Sequence, residues 1–146
     1  MQVFFKKLHQ LAVTPEYKTD GAACADLHAV FDSPFDYTYI HPNATEIIQT
    51  GLAVEVPRGY ELQVRSRSGM ASKGVILANG VGTIDSDYRG GIGVILTNCG
   101  PDVVKITTGD RIAQCCLNKL PKMEFIEVDD LEETERGGGG FGSTGS

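Results

Sequence analysis

Five short segments of this chain carry side chains with an evident chemical use. Arg65-Ser66-Arg67-Ser68-Gly69-Met70-Ala71 sets two guanidinium groups beside a serine and a glycine. If a short helix starts at Ser68, its hydroxyl and the free N–H groups of the first turn converge next to those arginines, a ready anion site. The same residues also read as a plain helix cap with surface arginines. Asn79-Gly80-Val81-Gly82-Thr83-Ile84-Asp85-Ser86-Asp87-Tyr88-Arg89-Gly90 is dense in turn formers. It reads equally as a hairpin whose backbone edge meets a base, with Asp85 polarising a water and Tyr88 packing under a sugar. Ala22-Ala23-Cys24-Ala25-Asp26-Leu27 sets one acid among small residues, and Gly109-Asp110-Arg111-Ile112-Ala113-Gln114 opens an apolar run. Both also pass as ordinary structure.

The fifth segment is Arg136-Gly137-Gly138-Gly139-Gly140-Phe141-Gly142-Ser143-Thr144-Gly145-Ser146. It contains a literal G-x-G-x-x-G, but with one residue after it no helix follows to receive a pyrophosphate, and no lysine follows to make a Walker loop. Its composition favours a flexible tail. Against that, Arg136 offers a charged fork for phosphate and Phe141 a flat face that stacks on a base. The glycines, Ser143 and Thr144 add unhindered donors, so the segment can order itself over a nucleoside polyphosphate.

Short strands must position these groups. Of 18 glycines, six lie in the last ten residues and the rest punctuate the first 136. Tyr60 to Arg65 alternates apolar and polar residues, as do Leu52 to Val56, the period of a half-buried strand. Further runs are Val75 to Ala78, Ile92 to Leu96, Val103 to Ile106, Ile112 to Leu117 and Phe125 to Val128. Turn residues separate them, which predicts an all-β sandwich or barrel. The one helical candidate is a turn or two after Ser68, through Lys73. No internal repeat is present, and Phe31 to Ile48 carries no motif.

Length and charge bound the function. At 146 residues the chain suits a single domain, with the body expected over 1–135 and a Gly-rich lid over 136–146. The formal charge is −6, yet seven of the 19 acids fall within 124–135, so the remainder is close to neutral. That is not the footprint of a non-specific nucleic-acid binder. A polyanion must instead be gripped locally, by a few arginines, backbone N–H groups or a metal. No apolar run suits a membrane helix or a signal peptide. Cys24, Cys99, Cys115 and Cys116 lack C-x-x-C spacing and read as small core residues on strands rather than a zinc or redox site. A cytoplasmic location is expected, with no membrane and no nucleic-acid partner.

Taken in order, Ala-x-Ala-Asp-Leu, Arg-Ser-Gly, Gly-x-Ile-Asp-x-x-Tyr-x-Gly, Gly-Asp-Arg-Ile-Ala-Gln and Arg-Gly-x-Gly-Gly-Phe-Gly-Ser-Thr-Gly resemble the five motifs of the trimeric dUTPase family. They span Ala23 to Gly145. One departure is Cys24, where the family usually has glycine. The resemblance implies a jelly-roll-like β subunit with one short helix, assembling as a homotrimer whose interface is heterologous, so that one site draws on several subunits. It implies hydrolysis of dUTP to dUMP and pyrophosphate by water attack on the α-phosphorus, which limits uracil incorporation into DNA and supplies dUMP.

On the same resemblance Asp85 is the general base, and Asp26 holds Mg²⁺ through water. Arg67, Ser68, Gly69 and Gln114 grip the phosphates. Asn79, Gly82, Thr83 and Ile84 read the uracil, and Tyr88 excludes a 2′-hydroxyl. In the tail, Arg136, Ser143 and Thr144 meet the terminal phosphate, and Phe141, followed by Gly142, stacks on the base. Two other readings are a dCTP deaminase of the same fold, which would release ammonia, and a dUTP-sensing regulatory module. The zinc-deaminase pattern H-x-E with P-C-x-x-C is absent.

Overall fold

The computed structural model describes residues 1–32 and 34–140. Phe141, Gly142, Ser143 and Thr144 lie outside the described residues. Eleven strands and one short helix follow in chain order: β1 Phe4–Lys7, β2 Ala25–His28, β3 Tyr37–Ile40, β4 Thr45–Gln49, β5 Leu52–Glu55, β6 Tyr60–Arg65, α1 Ser68–Ala71, β7 Val75–Leu77, β8 Val81–Ile84, β9 Gly93–Asn98, β10 Val104–Thr107 and β11 Arg111–Lys119. They pair antiparallel in four sheets of order β1-β5, β10-β3, β2-β11-β6-β8 and β4-β9-β7. The all-β class and the single helix at Ser68 are as the sequence predicts. No helix among the described residues is long and apolar enough to cross a membrane.

The core forms where alternating apolar faces meet. Leu27, Val64, Ala113 and Cys115 of the four-stranded sheet point inward with Ile48, Val94, Leu96, Val75 and Leu77 of the three-stranded one. Burying each aliphatic side chain is worth roughly 1.5–3 kcal/mol, so this apolar contact dominates the stability of the body. Asn98, fully buried at the end of β9, is satisfied on every side. Its Nδ2 donates to the carbonyls of Ile40 and Asp102 (2.9 and 2.7 Å), and its Oδ1 accepts from the Gly100 N–H at 2.9 Å. Gly74 ends the helical turn with φ +84°, and a Cβ there would lie 2.5 Å from the Gly100 nitrogen. Only glycine lets these two loops close against each other.

Three expectations need correction. Val75 to Ile84 turns at Asn79-Gly80, but its arms do not pair with each other: β7 joins β9 and β8 joins β6. The turn therefore crosses between two sheets and is not a self-paired hairpin. Phe125 to Val128 is no strand, and Phe125, Ile126 and Val128 are exposed, as is Leu131. Among the described residues this run finds no strand to pair with, so its apolar side chains are left exposed. Of the cysteines, only Cys115 is buried. Cys24 and Cys116 are half-buried and Cys99 is exposed.

Candidate functional site

The four-stranded sheet organises the site. Its register sets Asp26 of β2 opposite Gln114 of β11, and Gln114 opposite Arg65 of β6. Gln114 reaches past the end of β6, where its Nε2 donates to the Ser66 carbonyl at 2.9 Å. The Ser66 hydroxyl in turn accepts from the Leu77 N–H at 3.0 Å. These two bonds pin the turn that delivers Arg67, Ser68 and Gly69.

Arg67 is the N-cap residue of α1, in extended conformation, and no side chain caps the helix. Ser68 is thus the first helical residue and not a cap, which removes the plain capping reading of this serine. The Arg67 carbonyl accepts from the N–H groups of Met70 and Ala71. The Ser68 and Gly69 N–H groups have no backbone partner among the described residues, as expected for the open first turn of a helix.

Asp26 is 8% exposed and stands between two guanidinium groups. Arg67 Nε donates to its Oδ1 at 2.9 Å, and Arg111 Nη1 donates to its Oδ2 at 3.2 Å. Arg67 Nη1 also donates to the Arg111 carbonyl at 2.9 Å. Arg111 was not singled out from the sequence. It reaches this face because the β2–β11 register shifts between Arg111 and Ala113. With strict alternation Arg111 would lie on the opposite face from Gln114. The extra residue sends both Ile112 and Ala113 into the core and turns Arg111 outward onto Asp26. The only signal available in the sequence was that Arg111 is charged where the alternation calls for an apolar residue.

Around this clamp lies a cleft of about 240 Å³ lined by Lys18, Ala22, Cys24, Asp26, Arg67, Ser68, Gly69, Arg111 and Gln114. Three cations border it against one acid, although Lys18 pairs with Glu16, whose carboxyl that contact holds below its usual range. Two of the five Arg67 N–H groups are used by the clamp, so the rest of the fork remains for an incoming anion. The arrangement is suited to gripping phosphates.

The other sequence-selected residues sit elsewhere. β8, with Gly82, Thr83 and Ile84, is the far edge of the same sheet among the described residues, so alternate residues turn N–H and C=O groups outward with no strand beside them there. The Asn79 amide stands close to Gly82, which itself packs on Val64. Asp85 follows β8, exposed, and its carbonyl accepts from the Tyr88 N–H at 3.2 Å. The Tyr88 hydroxyl donates to the Gly91 carbonyl at 3.0 Å, folding the ring over Gly90, where a Cβ would lie 2.3 Å from the Tyr88 oxygen.

Asp26, Gln114, Arg65 and Val81 form one row across the sheet. Three strand spacings give about 14 Å, and the four residues from Val81 to Asp85 add about 13 Å along the strand, so Asp85 lies roughly 20 Å from the Asp26 clamp. One chain does not bring the clamp and Asp85 together. Nor does Arg136 reach the cleft: its Nε donates to the Gly139 carbonyl at 2.9 Å within the exposed segment.

A cation would meet a mixed donor set. Both Asp26 oxygens already accept from arginines, and among the described residues no three His, Cys, Asp or Glu side chains converge as a metal cage. These residues fit a Mg²⁺ that arrives on phosphate oxygens and meets Asp26 through water, since Mg²⁺ keeps several of its waters in such sites.

Comparison with known proteins agrees with this layout. The chain is 46% identical to a deoxyuridine 5′-triphosphate nucleotidohydrolase of Helicobacter pylori, over 99% of this chain and 97% of that protein. It is 49% identical to one of Treponema denticola, over 97% and 96% of the two chains. The fold superposes on the dUTPase of Staphylococcus bacteriophage 80alpha, solved with dUPNHPP, with a TM-score of 0.88 over 99% of both chains at 26% identity. A phage phi11 dUTPase, whose solved structure describes a structural Mg(II) ion, shares the fold at a TM-score of 0.80 and 22% identity, covering 91% of this chain and 100% of that one. The dUTPase family model matches residues 11–145, nearly the whole sequence, and the chain belongs to the dUTPase family.

Proposed function

We propose that this chain hydrolyses dUTP to dUMP and pyrophosphate in sites that several copies build together. The observation that carries this reading is the strand order, with an anion clamp on β2 at one edge of the sheet and Asp85 just past β8 at the other, which strand spacing converts to a separation of roughly 20 Å. A threefold ring with heterologous contacts sets the clamp of one copy against the β8 edge of the next. In that arrangement the triphosphate lies along Arg67, Ser68, Gly69 and Gln114, and the uracil meets Asn79 and the backbone of Gly82, Thr83 and Ile84. Cytosine presents the opposite donor and acceptor pattern to that backbone, which disfavours it.

Asp85 orients a water toward the α-phosphorus and takes its proton in a transition state stabilised by the arginines. Bound Mg²⁺ neutralises phosphate charge, with Asp26 the residue to hold it through water. Tyr88, folded over Gly90, fills the space of a 2′-hydroxyl. Residues 1–135 form the body and 136–146 a lid supplied to a neighbouring site, where Arg136, Ser143 and Thr144 reach the terminal phosphate and Phe141, with Gly142 beside it, covers the base.

The test is direct. Purified protein with dUTP and Mg²⁺ releases pyrophosphate and no ammonia, and light scattering gives the mass of three chains. Ammonia release from dCTP would move the protein to the deaminase reading, and tight dUTP binding without turnover to the sensing one.

A further inference from the structure

Two cysteines meet on the face of the sheet that carries the clamp. The β2–β11 register pairs Asp26 with Gln114 and Ala25 with Cys115, and carrying it one residue past the start of β2 sets Cys24, in the bend that enters the strand, against Cys116. Each cysteine lies two residues from a member of the Asp26–Gln114 pair and therefore shares its face. Directly opposed antiparallel residues have Cα atoms about 4.5–5.5 Å apart, inside the roughly 4.4–6.8 Å that a disulfide spans. The two thiols are close enough for each to bear on the other, Cys24 being among the groups that raise the Cys116 thiol after burial. Both residues are half-buried, and Cys24 lines the phosphate cleft. Cys115 is set apart: it points into the core, and burial pushes its thiol up to about 12.

We propose that Cys24 and Cys116 are a modification site, closing under hydrogen peroxide into a reversible cross-strand disulfide that ties the loop entering β2, whose Cys24 lines the cleft, to β11. The Cys24 sulfur attacks the peroxide; the O–O bond breaks, leaving Cys24 as sulfenic acid and releasing one water. The Cys116 sulfur then attacks the Cys24 sulfur, the S–O bond breaks, and a second water leaves with the Cys116 proton. The two electrons lost by the thiols reduce the peroxide. The loop the disulfide fixes includes Lys18 and Ala22 of the cleft wall. Its consequence for turnover, which rests on the proposed function, is weaker dUTP binding in the oxidised form.

The experiment treats the reduced full-length protein with hydrogen peroxide, blocks remaining thiols by alkylation and maps tryptic peptides. The expected product joins the Thr19–Arg58 peptide to the Ile112–Lys119 peptide, two hydrogens lighter than the reduced pair. It persists in Cys115→Ala and is lost in Cys116→Ser or after dithiothreitol. Peroxide raises the KM for dUTP several-fold in the wild type, dithiothreitol restores it, and Cys116→Ser keeps its reduced-state activity and does not respond. Linkage only through Cys115 or Cys99, or Cys24 oxidised without a partner, overturns the site. Linkage with an unchanged KM overturns its effect on the cleft. Because the mapping needs no turnover, a protein that links but leaves dUTP intact counts against the proposed function and not against the disulfide.

Discussion

Asp26 is 8% exposed and has both oxygens occupied by arginines from two different elements, whereas Asp85, at the other edge of the same sheet, is exposed, and its carboxylate has no side-chain partner among the described residues. One acid is over-determined by its own chain and the other is left open. The contrast teaches a division of labour. The clamp is pre-organised to hold charge and needs no partner to take shape. The segment from Asp85 to Gly90 has its geometry completed by whatever packs against it, which in the proposed assembly is a second copy and its ligand.

The sharpest way to break this contrast is Asp85→Asn. Turnover falls by a factor on the order of 10²–10⁴, the usual worth of a general base, while dUTP affinity and melting temperature hold. Unchanged turnover removes Asp85 from the chemistry. Deleting residues 136–146 comes next: the three-chain mass survives in light scattering, and hydrolysis drops on the order of 10²-fold through lost positioning. A truncated protein that fails to assemble makes the segment structural instead.

Arg67→Lys tests the clamp from the other side. A point charge replaces a fork that bonds Asp26 and the Arg111 carbonyl. KM rises about tenfold, and the unfolding free energy from urea titration falls by about 1–3 kcal/mol, the cost of leaving a buried acceptor short of a partner. If stability moves and KM does not, the clamp only braces the sheet. Gly90→Ala has a smaller, selective effect: the added carbon meets the Tyr88 ring, so UTP gains on dUTP as a substrate by a few-fold while dUTP turnover holds.

The smallest effect is a pH dependence beside the clamp. His28 is buried next to it with Nδ1 unpartnered, and burial outweighs the nearby Asp26 carboxylate to lower its pKa. The unfolded chain therefore takes up the proton first. Stability from this residue is complete above its ordinary value of 6.5 and declines as the pH falls from there toward the lower folded value. Melting curves from pH 7.5 down to 5.5, wild type against His28→Gln, show the decline in the wild type alone.

What was legible in the residues was local. The helix start at Ser68, the strands from Tyr60 to Leu117 and the acid at Asp26 followed from period, turn chemistry and motif order. What escaped was set by contacts between distant segments. The bulge that turns Arg111 toward Asp26 leaves within Gly109 to Gln114 only a charged residue where the alternation calls for an apolar one, because the bulge itself is defined against the register of β2. The arms flanking Asn79-Gly80 looked like one hairpin since nothing local says that each pairs with a different sheet. Phe125 to Val128 is a short β-forming run, yet composition alone does not supply a partner. The meeting of Cys24 and Cys116 likewise belongs to the pairing of two segments and not to either one.

That uncovered stretch has a practical corollary. Phe125, Ile126 and Leu131 are each more than 70% exposed, interleaved with carboxylates. A solitary copy thus carries a greasy ribbon whose stickiness is tempered by mutual repulsion of its acids, and acidification or high salt weakens that repulsion. The expected outcome, read by turbidity, is that dilute samples in mildly alkaline, low-salt buffer stay clear and that the same material taken toward its isoelectric point near 5.0 clouds before it unfolds.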